Sequence, residues 1–214
     1  SMINKPIIII AGEPYSIFFE IFFKTFKKKN LKSLKNPIIL ICSKNLLYNQ
    51  MISFKYNFKI NEIIFSNINS LKIDNKKINV LNVNFKFNKT FDKISSKSNL
   101  YIKNCFDLAF KLIKKVGVKA VINGPISKKK FLKKKFPGMT EYFANKTKTT
   151  NKQIMLIYNN KLAVSPVTTH IPIKNVVKKI SKKKIIFQAK AIHNFYKKYL
   201  KRNVRIAVTG LNPH

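Results

Sequence analysis

Arginine is almost missing from this chain. Of its 44 basic residues only Arg202 and Arg205 are arginine, and just 7 acidic residues oppose them, leaving a formal net charge of +37. Nucleic-acid readers favour arginine for bidentate contacts and gather it on one face. Here lysine is spread along the whole sequence among Asn, Ile and Phe, which reads as compositional drift over the surface. A basic nucleic-acid-binding protein is therefore the least favoured reading. The charge still attracts anions, phosphorylated small molecules included, and does so less at high salt. Cysteine is scarce too. Cys42 and Cys105 are too few and too far apart for a disulfide framework or a cysteine metal site, and Cys105 falls on the apolar face of a predicted helix as a buried thiol. Long apolar runs are missing as well. The run at 7–11 is too short for a signal-peptide core or a membrane span, so a cytoplasmic protein with no membrane partner is expected.

What is present suits a folded α/β protein. The chain has 214 residues, 45% of them hydrophobic, enough for one large α/β domain or two small ones. Continuous β-branched runs at 6–11 and 37–42 suit strands buried on both faces. Weaker strands are predicted at 63–65 and within 78–85, and a short one at 120–123. Helices are predicted over 16–29 and up to residue 53. Cys105, Leu108, Ala109, Leu112, Ile113 and Val116 form an apolar stripe that ends at Gly117, the clearest helix of the chain. Residues 153–158 and 161–167 read as a hairpin turned by Asn159-Asn160. Helices follow at 173–180 and 185–200, and a last strand at 204–209. Alternating strands and helices imply a largely parallel or mixed sheet between helix layers. We divide the chain into a first α/β domain at 1–125 and a second, partial one at 126–214.

Two of the three histidines stand out. An apolar run stops at Thr168-Thr169-His170-Ile171-Pro172, where proline blocks the strand from continuing. The last predicted strand runs into Gly210-Leu211-Asn212-Pro213-His214 in the same way. In open α/β sheets ligands bind beyond the carboxyl ends of strands, and a neutral imidazole is a good metal ligand. His170 and His214 are thus candidates for one metal site. His193, inside a predicted helix, reads as structural. Lys128 and Lys129 follow a Gly-Pro turn where amides favour anions, although a solvated lysine run is the better reading.

Five junctions taken in order say more than any one of them. Ile10-Ala11-Gly12-Glu13-Pro14, Asn123-Gly124-Pro125-Ile126-Ser127-Lys128, Gly138-Met139-Thr140-Glu141, Thr168-Thr169-His170-Ile171-Pro172 and Gly210-Leu211-Asn212-Pro213-His214 resemble the successive motifs of the 4-hydroxythreonine-4-phosphate dehydrogenase family. That family serves vitamin B6 (pyridoxal phosphate) biosynthesis. The resemblance implies a two-domain fold of the isocitrate and isopropylmalate dehydrogenase type and a homodimer. It implies an oxidoreductase in which three histidines hold a divalent metal (zinc, manganese, cobalt or magnesium). NAD takes hydride from 4-phosphohydroxy-L-threonine, and the keto acid formed then loses carbon dioxide. By matched motif, His170 and His214 take the places of two metal ligands. Thr140 takes that of a substrate-binding threonine, and Met139 stands where the family has a substrate-binding histidine. Catalytic and cofactor-binding residues stay unassigned.

The departures from the pattern have physical content. After Gly12-Glu13-Pro14 the family continues with small residues and glycine, whereas this chain reads Tyr15-Ser16-Ile17-Phe18-Phe19-Glu20. The Met139 thioether is at best a weak acceptor where a histidine would bind substrate. The resemblance also stops at His214, before the part of the family that carries the third histidine, so the fold is expected to be incomplete at its C-terminus. The alternative expectation is a truncated, non-catalytic relative that dimerises or binds phosphate.

Overall fold

The structure, a computed structural model, describes residues 4–69, 73–132 and 135–211. They fall into two compact units, Ser1–Phe136 and Pro137–His214.

The first unit is built on a parallel sheet. Its strands are β1 (Ile7–Ile10), β2 (Ile38–Cys42), β3 (Ile60–Glu62), β4 (Ile78–Asn82) and β5 (Ala120–Asn123), in the order β3-β4-β2-β1-β5. Every pairing is parallel, and Ile9, Leu40 and Val80 lie side by side across β1, β2 and β4. β1 is four isoleucines and β2 is buried at every position. Such runs have no polar face, so they are stable only with helices on both sides.

Helices supply that cover: α1 (Phe18–Phe26), α2 (Lys29–Lys32), α3 (Lys44–Ser53) and α4 (Asn99–Val116). Phe19, Phe22, Phe23 and Phe26 of α1 pack with Leu46, Leu47 and Met51 of α3 on Leu40, Cys42, Ile78 and Val80. Each phenylalanine so buried stabilises the fold by about 1.5–3 kcal/mol. Ile8, Ile10, Ile39 and Ile41 point to the other face and are also fully buried. α4 touches β1 and β2 and covers that face, where a right-handed crossover from β4 to β5 must place it. Gly117, at φ 66°, ends α4.

Most of these elements fall where periodicity predicts them. The third strand lies at Ile60–Glu62 instead of 63–65, because pairing with Ile78–Val80 fixes its register. Beyond it Phe65–Asn67 turns into a 3-10 helix. Residues 126–136, which the sequence places at the start of a second domain, belong to the first unit. There Lys128–Leu132 forms a π-type turn on α4, where the Asn99 amide donates to the Lys130 carbonyl at 2.8 Å.

The second unit contains α5 (Met139–Lys146), α6 (Val176–Lys179) and α7 (Lys182–Phe195). α7 begins at Ser181, whose hydroxyl accepts the Lys184 N–H at 3.2 Å, a normal N-cap. The expected hairpin is reduced to one antiparallel bridge, in which Ile157 and Val164 exchange N–H···O bonds of 2.8 and 2.9 Å. Residues 204–209 join no sheet among the described residues, and Val208 stays 61% exposed. β-propensity makes a strand only where a neighbour completes the hydrogen-bond ladder.

Candidate functional site

In the first unit the two turns at the carboxyl end of β1 and β5 interlock. The Glu13 N–H donates to Pro125 O at 2.9 Å, and the Gly124 N–H donates to Ile10 O at 2.7 Å. The backbones approach so closely that neither glycine tolerates a side chain. A Cβ at Gly12, whose φ is 77°, would sit 2.5 Å from Pro125 O, and one at Gly124 would sit 2.1 Å from Ala11 O. The Phe18 ring also lies against Gly124, its Cδ2 2.8 Å from the same virtual Cβ. A phenylalanine thus fills room that the family pattern leaves to small residues.

Glu13 sits at this junction and is only 2% exposed. Its Oε1 accepts the Ser127 N–H at 3.4 Å, while its Oε2 is buried with no partner among the described residues. Burial pushes its carboxyl above the ordinary value, against the Ser127 N–H and the Lys130 charge, which pull it down. Lys128 and Lys129 are exposed.

In the second unit α5 opens directly after Gly138. Met139 is half-buried and Thr140 exposed in its first turn. His170 comes from the loop after the Ile157–Val164 bridge. It is not at the end of a core strand, as its sequence suggests, because no strand forms over 165–169. Its φ of 55° is left-handed, a conformation histidine adopts more readily than most residues but still at a cost. A point 1 Cβ bond from Gly138 lies 3.1 Å from Glu141 Oε2 and 3.8 Å from His170 Nε2. The motif at 138–141 and the motif at 168–172 therefore meet. Glu141 Oε2 is buried and has no hydrogen-bond partner among the described residues.

Gln188 of α7 helps to hold the loop that delivers His170. Its amide donates to Ser165 Oγ at 2.6 Å and to Pro166 O at 3.0 Å, and Ser165 donates to Met155 O at 2.5 Å. His193 is half-buried in α7. His214, the second expected ligand, lies outside the described residues. Among the described residues no three His, Cys, Asp or Glu side chains gather as a metal centre. Beside Gly138 they place one imidazole nitrogen near one orphaned carboxylate oxygen. The imidazole suits a divalent metal, and further ligands would have to complete the set.

The sequence reading gave no role to Glu13, Glu141 or Gln188. The two glutamates lie in motifs it had singled out, yet an orphaned carboxylate is visible only when burial is known. Nothing in the sequence marks Gln188.

Comparison with known proteins narrows the class in two steps. The fold is that of a crystal structure of a 4-hydroxythreonine-4-phosphate dehydrogenase from Burkholderia phymatum (TM-score 0.78, 21% identity, 99% of this chain and 64% of that one). A second structure of the same name, from Klebsiella pneumoniae, gives a TM-score of 0.73 at 22% identity, covering 99% and 65%. At this identity the likeness establishes an α/β fold and no more. A family model described as "Pyridoxal phosphate biosynthetic protein PdxA" matches residues 33–214. The 4-hydroxythreonine-4-phosphate dehydrogenase of Sulfurihydrogenibium sp. (strain YO3AOP1) is 30% identical over 215 residues, covering 96% of this chain and 62% of the relative. The chain belongs to the PdxA family. It spans about 60% of the length of the curated relatives it matches.

Proposed function

We propose that this protein acts as a 4-hydroxythreonine-4-phosphate dehydrogenase: a metal- and NAD-dependent oxidoreductase of vitamin B6 biosynthesis, working as a cytoplasmic homodimer. Its substrate is the phosphorylated amino acid 4-phosphohydroxy-L-threonine, oxidised at the carbon bearing the free hydroxyl and then decarboxylated. The observation that carries this reading is the meeting of His170 with Gly138 and Glu141, since these residues come from two separate motifs of the family pattern.

His170, together with His214, would hold the divalent metal, and Thr140 and Met139 at the start of α5 would face the substrate. A bound metal eases loss of the hydroxyl proton and steadies charge as carbon dioxide leaves, while NAD accepts the hydride. The lysine-rich surface favours arrival of an anionic phosphorylated substrate.

A second reading, a non-catalytic relative that dimerises or binds phosphate, is favoured by the Phe18 ring packed against Gly124 and by Met139. One experiment separates the two. The purified chain is given 4-phosphohydroxy-L-threonine, NAD and a divalent metal, and NADH is followed at its absorbance with and without chelator. Chelator-sensitive NADH formation is expected. A folded chain that binds substrate phosphate without making NADH would overturn the dehydrogenase reading in favour of the second.

A further inference from the structure

The carboxylate of Glu141 is the least explained group in the second unit. An oxygen of a carboxylate, taken out of water with nothing to pair it, costs free energy that folding must recover elsewhere. The chain nevertheless keeps Glu141 Oε2 buried and without a partner among the described residues. Among the described residues, basic side chains are abundant, but none pairs with it: the ion pairs seen are Lys24–Glu20, Lys44–Glu62 and Lys103–Asp107.

The His170 imidazole beside it accounts for the arrangement. His170 Nε2 and Glu141 Oε2 both lie within 4 Å of the position a Cβ would take on Gly138. Gly138 is buried, with extended backbone at φ −164°, so glycine is not needed there for conformation. Glycine keeps the space beside the two groups open: a Cβ there would press on Glu141 Oε2 at 3.1 Å. Glu141 is also fixed to α5, while His170 is exposed on a loop.

We propose that Glu141 is the positioning residue for His170: its free oxygen takes the Nε2–H of the imidazole and leaves Nδ1 to a divalent cation. This rests on the reading of His170 as a metal ligand. Metal-bound histidines generally donate their other ring N–H to a carboxylate or carbonyl, which fixes the tautomer and makes the ligand more basic. Each feature then has a cause. The carboxylate has no other partner among the described residues because the imidazole is to take that place, and residue 138 is glycine because that leaves the space beside both groups open.

Cobalt(II) binding to the full 214-residue chain tests this, with affinity and visible absorption recorded for wild type, His170→Ala, Glu141→Gln and Gly138→Ala. Circular dichroism reports whether each variant is folded. We expect His170→Ala to abolish binding at that site, and both other variants to weaken it about 10- to 100-fold with a shifted cobalt spectrum. Glu141→Gln keeps the side-chain shape, so it decides the matter even where Gly138→Ala fails to fold. If Glu141→Gln keeps wild-type affinity and spectrum while His170→Ala loses both, the role of Glu141 is overturned and the ligand assignment stands. If wild type and His170→Ala behave alike, the ligand assignment falls and takes the proposal with it. Nitrogen NMR shifts of the His170 ring in the zinc-loaded chain give an independent reading: metal on Nδ1 agrees, and metal on Nε2 refutes.

Discussion

The N–H of Glu13 donates to the carbonyl oxygen of Pro125 at 2.9 Å, joining the turn after β1 to the turn after β5. Neighbouring strands of a parallel sheet deliver their turns to the same edge, and here two backbone hydrogen bonds tie the turns, with the Glu13 carboxylate accepting the Ser127 N–H beside them. The closeness of that contact makes Gly12 irreplaceable. A Cβ at Gly12 would both require a left-handed φ of 77° and meet Pro125 O at 2.5 Å. Gly12→Ala is expected to cost at least about 1–3 kcal/mol, read as a lowered urea midpoint with an unchanged slope.

Glu13 should make stability depend on pH in an unusual direction. Its carboxyl is raised above the ordinary 4.5 by burial, so the folded chain binds its proton more tightly than the unfolded chain does. That contribution is fully present below about pH 4.5 and is lost as pH rises through the folded value. Glu13→Gln mimics the protonated form. It should match wild type in thermal melts near pH 4 and exceed it at neutral pH. A Gln variant that is less stable than wild type at neutral pH would show that the charged form is the one the fold prefers.

Neither cysteine should react while the chain is folded. Cys42 and Cys105 are both fully buried, and burial pushes the Cys105 thiol up to about 12, with Tyr101 pulling in the opposite direction. The thiolate is the reactive form. A disulfide reagent at pH 8 is expected to label no thiol in native buffer and both in denaturant. Rapid labelling of the native chain would contradict the packing of α4 on the sheet.

Gln188 is expected to link α7 to metal binding. Its amide holds Ser165 and Pro166 ahead of the His170 loop, and replacing it leaves those acceptors unmet. Gln188→Leu should cost about 1–3 kcal/mol of stability and also weaken cobalt binding, because His170 would no longer be held in place. Stability lost with unchanged cobalt affinity would confine Gln188 to a structural role.

Much of the first unit is legible in the sequence because its signals are local. Four consecutive isoleucines suit a strand covered on both faces, and the stripe from Cys105 to Val116 ending in Gly117 suits a helix with a glycine stop. The second unit is harder to read. Residues 204–209 have strand-forming composition, yet a strand needs a partner, and composition carries no information about partners. The same limit applies to 153–167, where turn residues predict a hairpin and a single bridge forms.

By itself the sequence determined the α/β class, the parallel core and the short motifs that mark the family, because hydrophobic periodicity and turn chemistry act between near neighbours. Only the tertiary structure decided which motifs meet. It brought His170 to Gly138 and Glu141 across about thirty residues of chain, and it filled the space beside Gly124 with Phe18. It also left two carboxylate oxygens, on Glu13 and Glu141, buried with no hydrogen-bond partner among the described residues. Burial and pairing are set by atoms distant in sequence, so no local pattern could have shown them.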